Sequence, residues 1–194
     1  IAQSLFEGGN KISTGLVTYM RTDSVAISAD ARAQAEKFIK SKYGENYFAQ
    51  NHYRSRSGAQ EAHEAIRPTD ITLTPESLRG KVTPQELRLY ELIWKRFTAS
   101  LMADARIMRK TVYIDAEKSG MSHSYTFSAS ASEIVFDGFL KVLSMDVRKE
   151  CDPDSEENGP DAATLPPMSE GDAVDVVEWK SEQKHSTPPA RYSE

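Results

Sequence analysis

The sequence predicts an α+β protein: a mainly helical first part, residues 1–104, followed by an antiparallel β-rich part, residues 105–194. Two observations carry this. Capped segments with apolar residues three or four apart occur before Asp104, and short runs rich in β-branched residues cluster after it. The charge also differs between the two parts. Residues 1–104 hold 14 Lys and Arg against 12 Asp and Glu, whereas residues 105–194 hold 10 against 17, within a net charge of −5.

In the first part, Ile1, Ala2, Leu5 and Phe6 are spaced like the end of an amphipathic helix, and Gly8-Gly9-Asn10 stops it. Ile12 to Tyr19 alternates loosely and reads as a short strand. Ser28 is an N-cap for a helix over 29–43, with Ala31, Ala35, Phe38, Ile39 and Lys42 on one face and Gly44 just past the end. Residues 45–59 are polar with scattered aromatics, and Arg54, Arg56 and Gly58 suggest a flexible loop. Glu61 to Ile66 is expected to make one or two helical turns that end at Pro68. The strongest helix signal runs from Pro84 to Met102, where Thr83 caps, Pro84 occupies the first turn and Glu86 completes a capping box. Its Leu87, Tyr90, Trp94, Phe97 and Leu101 form a stripe assigned to the core.

In the second part, Lys110–Asp115, Ser124–Ala131 and Ala173–Trp179 are expected strands, and Phe136-Asp137-Gly138-Phe139 contains a tight turn. The acidic, Pro-containing stretch near 148–167 reads as a mobile, solvated loop.

Composition excludes several classes. No apolar run is long enough to span a membrane and no basic start precedes an apolar block, so a cytoplasmic protein without membrane partners is expected. The single cysteine, Cys151, rules out an internal disulfide and a cysteine-built zinc site, and it reads as an incidental surface thiol. Asp152 and Asp154 flank Pro153 in the acidic loop and read as solvated, so no metal site is expected in this chain. The acidic balance counts against a nucleic-acid partner, but the first part alone, at net +2, retains a modest basic surface.

Two strings bear on chemistry: Gly15-Leu16-Val17-Thr18-Tyr19-Met20-Arg21-Thr22-Asp23-Ser24 and Gln60-Glu61-Ala62-His63-Glu64-Ala65-Ile66-Arg67-Pro68-Thr69. Transfer of a phosphodiester needs an oxygen nucleophile, a cation to offset charge on the phosphate, and groups that hold both. Tyr19 and Arg21 supply the first two, and in an extended segment residues two apart point to the same side. Arg grips two phosphate oxygens at once, where Lys acts as a point charge. Asp23 and Ser24 suit orienting Arg21 or capping the turn. His63 is either a phosphate contact, a member of a proton network, or a hydrogen-bonded core residue; Arg67 is either a second phosphate anchor or an exposed or Glu-paired side chain. Taken alone, Tyr19 after a short strand reads first as a packed aromatic with a satisfied hydroxyl.

Thr18-Tyr19-Met20-Arg21-Thr22-Asp23-Ser24 resembles the signature around the nucleophilic tyrosine of type IA DNA topoisomerases, and His63-Glu64-Ala65-Ile66-Arg67-Pro68-Thr69 resembles their second signature, at a compatible separation. Thr187-Pro188-Pro189-Ala190-Arg191-Tyr192-Ser193-Glu194 resembles a third segment, so the similarity spans essentially the whole chain. Met20 favours the bacterial topoisomerase I branch, because topoisomerase III and reverse gyrase relatives commonly have another residue, often Pro, there.

The resemblance implies that Tyr19 forms a 5′-phosphotyrosyl bond and releases a 3′ hydroxyl, that Arg21 stabilises the scissile phosphate, and that His63 contacts DNA near it, with Asp23, Ser24 and Arg67 in support. It implies relaxation of negatively supercoiled DNA by strand passage and resealing, without ATP, in a nucleoid-associated enzyme that prefers single-stranded or underwound DNA as its partner. It further implies that residues 1–104 are most of a helical lid and residues 105–194 part of a β-rich arch or hinge in a toroid. The acidic cluster for Mg2+ and a catalytic Lys would lie in a TOPRIM domain not represented here. The chain is therefore expected to hold no cofactor, to need the remaining domains of the same polypeptide, and to cleave DNA poorly alone. Two other classes compete: a non-catalytic DNA-binding or gate module with a structural tyrosine, and another tyrosine-based strand transferase, which would leave a 3′-linked adduct.

Overall fold

The computed structural model describes residues 1–8, 12–53, 63–117, 124–143 and 165–178, together with 181, 183 and 185. Its fold class is α+β. Three helices, α1 (Ala2–Glu7), α2 (Ala29–Tyr43) and α3 (Pro84–Ser100), precede a hairpin of β1 (Arg106–Ala116) and β2 (Tyr125–Phe136). Short 3-10 turns lie at Glu45–Tyr47, Pro75–Leu78 and Gly138–Lys141.

The two longer helices begin where their caps dictate. The Ser28 hydroxyl accepts the amide of Ala31, and Thr83 and Glu86 form a reciprocal capping box, with Pro84 in the first turn where its missing N–H costs nothing. On α2, Ala31, Ala35 and Ile39 are buried and Phe38 is half-buried. Lys42 stays exposed, its ammonium 5.3 Å from the centre of the Trp94 ring. On α3, Tyr90, Trp94 and Phe97 are buried. Two members of this stripe have polar handles, and both find carbonyls on the segment that crosses beneath: Tyr90 Oη donates to Leu73 O at 2.7 Å and Trp94 Nε1 to Ile71 O at 2.8 Å. The core they build also takes Leu5, Leu16, Val17, Leu78, Leu101 and Met102, so the chain just before Tyr19 is anchored in it.

Three expected elements are absent. Ile12 to Tyr19 is not a strand; only Val17 pairs, as a single antiparallel bridge with Pro68. Thr18 N donates to Arg67 O at 2.9 Å and Thr69 N to Leu16 O at 3.0 Å, but the amides that would return these bonds go elsewhere, Arg67 N to the Thr18 hydroxyl and Leu16 N to Leu5 O, so the ladder stops. Residues 63–66 are not helical, because their backbone groups are engaged elsewhere: His63 O accepts from Ser24, Ala65 O from Thr18, and Ala65 N donates to Ala26 O. Glu61 and Ala62 lie outside the described residues. Residues 173–178 form no strand, with Val177 98% exposed; alternating valines form a strand only when laddered to another strand, and no ladder includes them among the described residues. Arg54, Arg56, Gly58, Cys151, Asp152, Asp154 and the segment 187–194 lie outside the described residues.

The hairpin is longer than its apolar cores suggested, pairing antiparallel from Ala116↔Tyr125 back to Ile107↔Ile134, with a bulge before Arg106↔Phe136. Among the described residues it is joined to the helical body at a seam beside the 3-10 turn at Glu45–Tyr47. Tyr47 Oη donates to Asp137 Oδ1 at 2.6 Å, Phe48 bridges to Met102, and Ala103 N donates to Tyr47 O at 2.8 Å. The turn expected at Asp137-Gly138 is a 3-10 turn entered through Gly138 at φ +48°.

Candidate active site

The tyrosine sits where it does because Gly15 has no side chain. A Cβ there would collide with the carbonyl oxygen of Phe6 at the end of α1. Without it, Leu16 N reaches Leu5 O at 2.7 Å, Leu16 and Val17 enter the core, and the chain emerges with Tyr19 beside Phe6. The two rings meet edge to face, 5.5 Å between centroids and 69° between planes.

Tyr19 is 53% exposed, so the reading of a packed core aromatic does not apply. On its other side the His63 ring lies 6.1 Å away at 37°. Together with Phe6, Val17, Thr18, Glu64 and Thr69 they line an open groove of about 440 Å³. The two strings singled out in the sequence, some forty residues apart, thus form opposite walls of one groove. A larger groove of about 600 Å³ between α1 and the start of α3 is floored by Leu5, Leu16, Val82 and Leu87 and contains neither Tyr19 nor His63.

Arg21 departs from the simple expectation. Its amide donates to Tyr19 O at 3.0 Å, an i+2 to i bond that turns the chain tightly at Met20, so the two side chains are not projected alike by an extended backbone. The Arg21 Nε donates to both carboxylate oxygens of Asp23, at 3.0 and 2.9 Å, at the protein surface. Asp23 therefore orients Arg21, and the described bonds of this guanidinium use Nε alone. Arg21 is not among the groove-lining residues.

Ser24 is buried; its hydroxyl donates to His63 O at 2.5 Å and accepts the Ala26 amide at 3.2 Å, which fixes the backbone that carries the imidazole. His63 Nδ1 is buried with no hydrogen-bond partner among the described residues. Arg67 is turned inward: its guanidinium donates to Glu64 Oε2 at 2.6 and 3.2 Å and to Pro68 O at 2.9 Å, with only 13% of the side chain exposed. Of the two readings left open for Arg67, the geometry matches the Glu-paired one. Burial alone would push the Glu64 carboxyl up, but Ser28 and Arg67 outweigh it and hold the group below its ordinary value.

Sequence reasoning passed over three residues here. Phe6 flanks the tyrosine, Glu64 neutralises Arg67, and the Thr18 hydroxyl joins the two walls, donating to Ala65 O at 2.7 Å and accepting Arg67 N at 2.9 Å. Thr18 stood in the motif itself, but its partners are 47 and 49 residues away and leave no local signal.

Among the described residues, no group of three or more His, Cys, Asp or Glu side chains is placed to hold a metal ion. The described carboxylates of the two strings, Asp23 and Glu64, are already committed to arginines, so they do not fit a magnesium site. No helix among the described residues is long and apolar enough to cross a membrane.

All of residues 1–194 match the family model for DNA topoisomerase, and the chain belongs to that family. It is similar to the DNA topoisomerase 1 of Rickettsia felis, 43% identical over 199 residues, a match that covers all of this chain and 24% of that protein. It is also similar to the full-length topoisomerase I of Thermotoga maritima, with a TM-score of 0.59 and 33% identity over 75% of this chain and 22% of that one. The chain thus spans under a quarter of the length of these relatives.

Proposed function

We propose that this chain is the tyrosine-bearing part of a type IA DNA topoisomerase that cuts one DNA strand, lets another pass, and reseals it. The observation that carries this reading is the half-exposed phenol of Tyr19 on a groove shared with His63, with Arg21 two residues on. In the proposed step, Tyr19 Oη attacks a backbone phosphate, a new O–P bond forms at the 5′ side and the bond to the 3′ oxygen breaks. The phenolic proton ends on the released 3′ oxygen. The terminal nitrogens of Arg21 offset charge on the phosphate while Asp23 holds Nε, and His63 contacts DNA across the groove. Reversal consumes one phosphate ester and regenerates another, so no ATP is required.

On this reading residues 1–104 form most of a lid that carries the tyrosine, and residues 105–194 belong to an arch or hinge. The basic first part supplies the DNA surface, with single-stranded or underwound DNA as the preferred substrate. Magnesium dependence and the catalytic lysine belong to other domains of the longer polypeptide, so the chain by itself cleaves poorly.

The test is Tyr19→Phe in the full-length enzyme. We expect loss of the covalent adduct on end-labelled single-stranded DNA with binding retained. An undiminished adduct in the variant would leave Tyr19 a structural residue and put the nucleophile elsewhere, absence of any adduct in the parent would leave a non-catalytic gate module, and a 3′-linked adduct in the parent would place the protein among other tyrosine strand transferases.

A further inference from the structure

We propose that Thr18 is a positioning residue for the attack by Tyr19, acting through its hydroxyl as the clamp between the two walls of the groove. The proposal rests on the reading of Tyr19 as nucleophile.

The joint between the walls is thin. Among the described residues only Val17 and Pro68 pair across it as strand residues, and the amide that would return the Thr18 bond and extend the ladder, Arg67 N, is turned to the Thr18 hydroxyl instead of the Thr18 carbonyl. At this gap, Thr18 Oγ1 donates to Ala65 O at 2.7 Å and accepts Arg67 N at 2.9 Å, and lies 3.4 Å from Arg67 O. Thr18 N adds a bond to Arg67 O at 2.9 Å. One side chain thereby satisfies backbone groups on either side of Ile66 that a regular ladder would otherwise have paired.

The consequence falls on the next residue. Tyr19 is bounded on one side by the clamped Thr18 and on the other by the turn closed by Arg21 N and Tyr19 O. Its backbone has little freedom left, and the phenol moves only through its own side-chain torsions. The opposite wall is fixed at its far end by the Ser24 bond to His63 O, so the 6.1 Å spacing of the Tyr19 and His63 rings depends on Thr18 and Ser24 together. In-line attack on phosphorus is sensitive to such placement, and a displacement of about 1 Å can cost about a hundredfold in rate.

The experiment compares Thr18→Val, Thr18→Ser, Tyr19→Phe and Leu78→Ala with the unmodified full-length enzyme. It measures the single-turnover rate of adduct formation on labelled single-stranded DNA, the affinity for the same DNA, and the melting temperature. Valine keeps the shape of threonine and removes the hydroxyl. We expect Thr18→Val to slow adduct formation about 10- to 100-fold while DNA affinity stays within about threefold, and Thr18→Ser to recover most of the rate. Leu78, buried in the core away from the groove, is the stability control: its variant melts lower but keeps the rate. Unchanged rates in Thr18→Val, a Thr18→Ser variant as slow as Thr18→Val, or a matching loss in Leu78→Ala would each overturn the proposal. Adduct formation by Tyr19→Phe would instead remove the reading on which it stands.

Discussion

The buried hydroxyl of Ser24 donates to the carbonyl oxygen of His63, 39 residues away, at 2.5 Å. The bond does not touch the imidazole, yet it sets where the imidazole is carried. Replacing Ser24 with Ala leaves that carbonyl, and the amide of Ala26, without their partner. A stability loss of about 1–2 kcal/mol is expected, a fall of roughly 2–8 °C in melting temperature for a chain of this size. Differential scanning calorimetry of Ser24→Ala against the parent checks it; an unchanged midpoint would show that the bond is not contributing.

The ion pair behind His63 predicts a pH dependence. Glu64 is held below its ordinary carboxyl value in the folded protein, despite burial that acts the other way, by Ser28 and Arg67. A depressed carboxyl stabilises the fold above the unfolded value, about 4.3, and that contribution disappears as pH falls through the lower folded value. The stability gap between the parent and Glu64→Gln should therefore be widest near neutrality and close progressively below about pH 4. Urea midpoints across that range decide the matter, since a gap independent of pH would mean that the charge on Glu64 is not what matters.

These two contacts mark where the sequence was readable. Helices α2 and α3 were legible because their signals are local: Ser28 caps three residues ahead, and Thr83, Pro84 and Glu86 announce a start within four positions. The hairpin strands were found but drawn short, because their ends are set by cross-strand register, which the sequence of one strand does not contain. The strand expected at 12–19 and the helical turns expected near 61–66 failed for a single reason. Each segment satisfies backbone groups through residues distant in sequence, by way of Thr18, Ser24, Ala26, Leu5 and the Val17–Pro68 bridge, rather than through its neighbours. The same nonlocality hid Phe6, whose ring meets Tyr19 only because Gly15 lets the chain fold back on α1. Tyr19 and His63 were named from motif strings, and their sharing of a groove became visible only with the fold.

Glycines 80 and 138 offer a controlled comparison. Both have positive φ, +77° and +48°, so alanine at either position meets the left-handed penalty of roughly 1–2 kcal/mol. A Cβ at Gly80 would meet nothing within 4 Å, whereas at Gly138 it would collide with Ala103 O and lie 2.7 Å from Asp104 O. Gly138→Ala should therefore be the more destabilising by at least about 1–2 kcal/mol. It should also disturb the seam, where Tyr47 reaches Asp137 and Lys141 Nζ lies 3.2 Å from the same carboxylate. Denaturant midpoints for both variants check the ranking, and equal losses would show that the backbone yields at Gly138 without cost.

Arg21 is the residue on which the proposed chemistry and the observed geometry press hardest. Its Nε edge is taken by Asp23, so on the proposed reading the phosphate must be met by the two terminal nitrogens, a division of labour that a planar guanidinium permits. Lysine keeps the charge but offers one nitrogen at a single point, which cannot hold Asp23 and grip two phosphate oxygens from the same place. Arg21→Lys in the full-length enzyme should consequently slow strand cleavage about 10- to 100-fold while changing DNA affinity by less than about threefold. Single-turnover adduct formation and equilibrium binding to the same oligonucleotide separate the two quantities. Equal losses in both would assign Arg21 to DNA capture and remove it from the transfer step, because an interaction made only as the phosphate reacts leaves the ground-state complex intact.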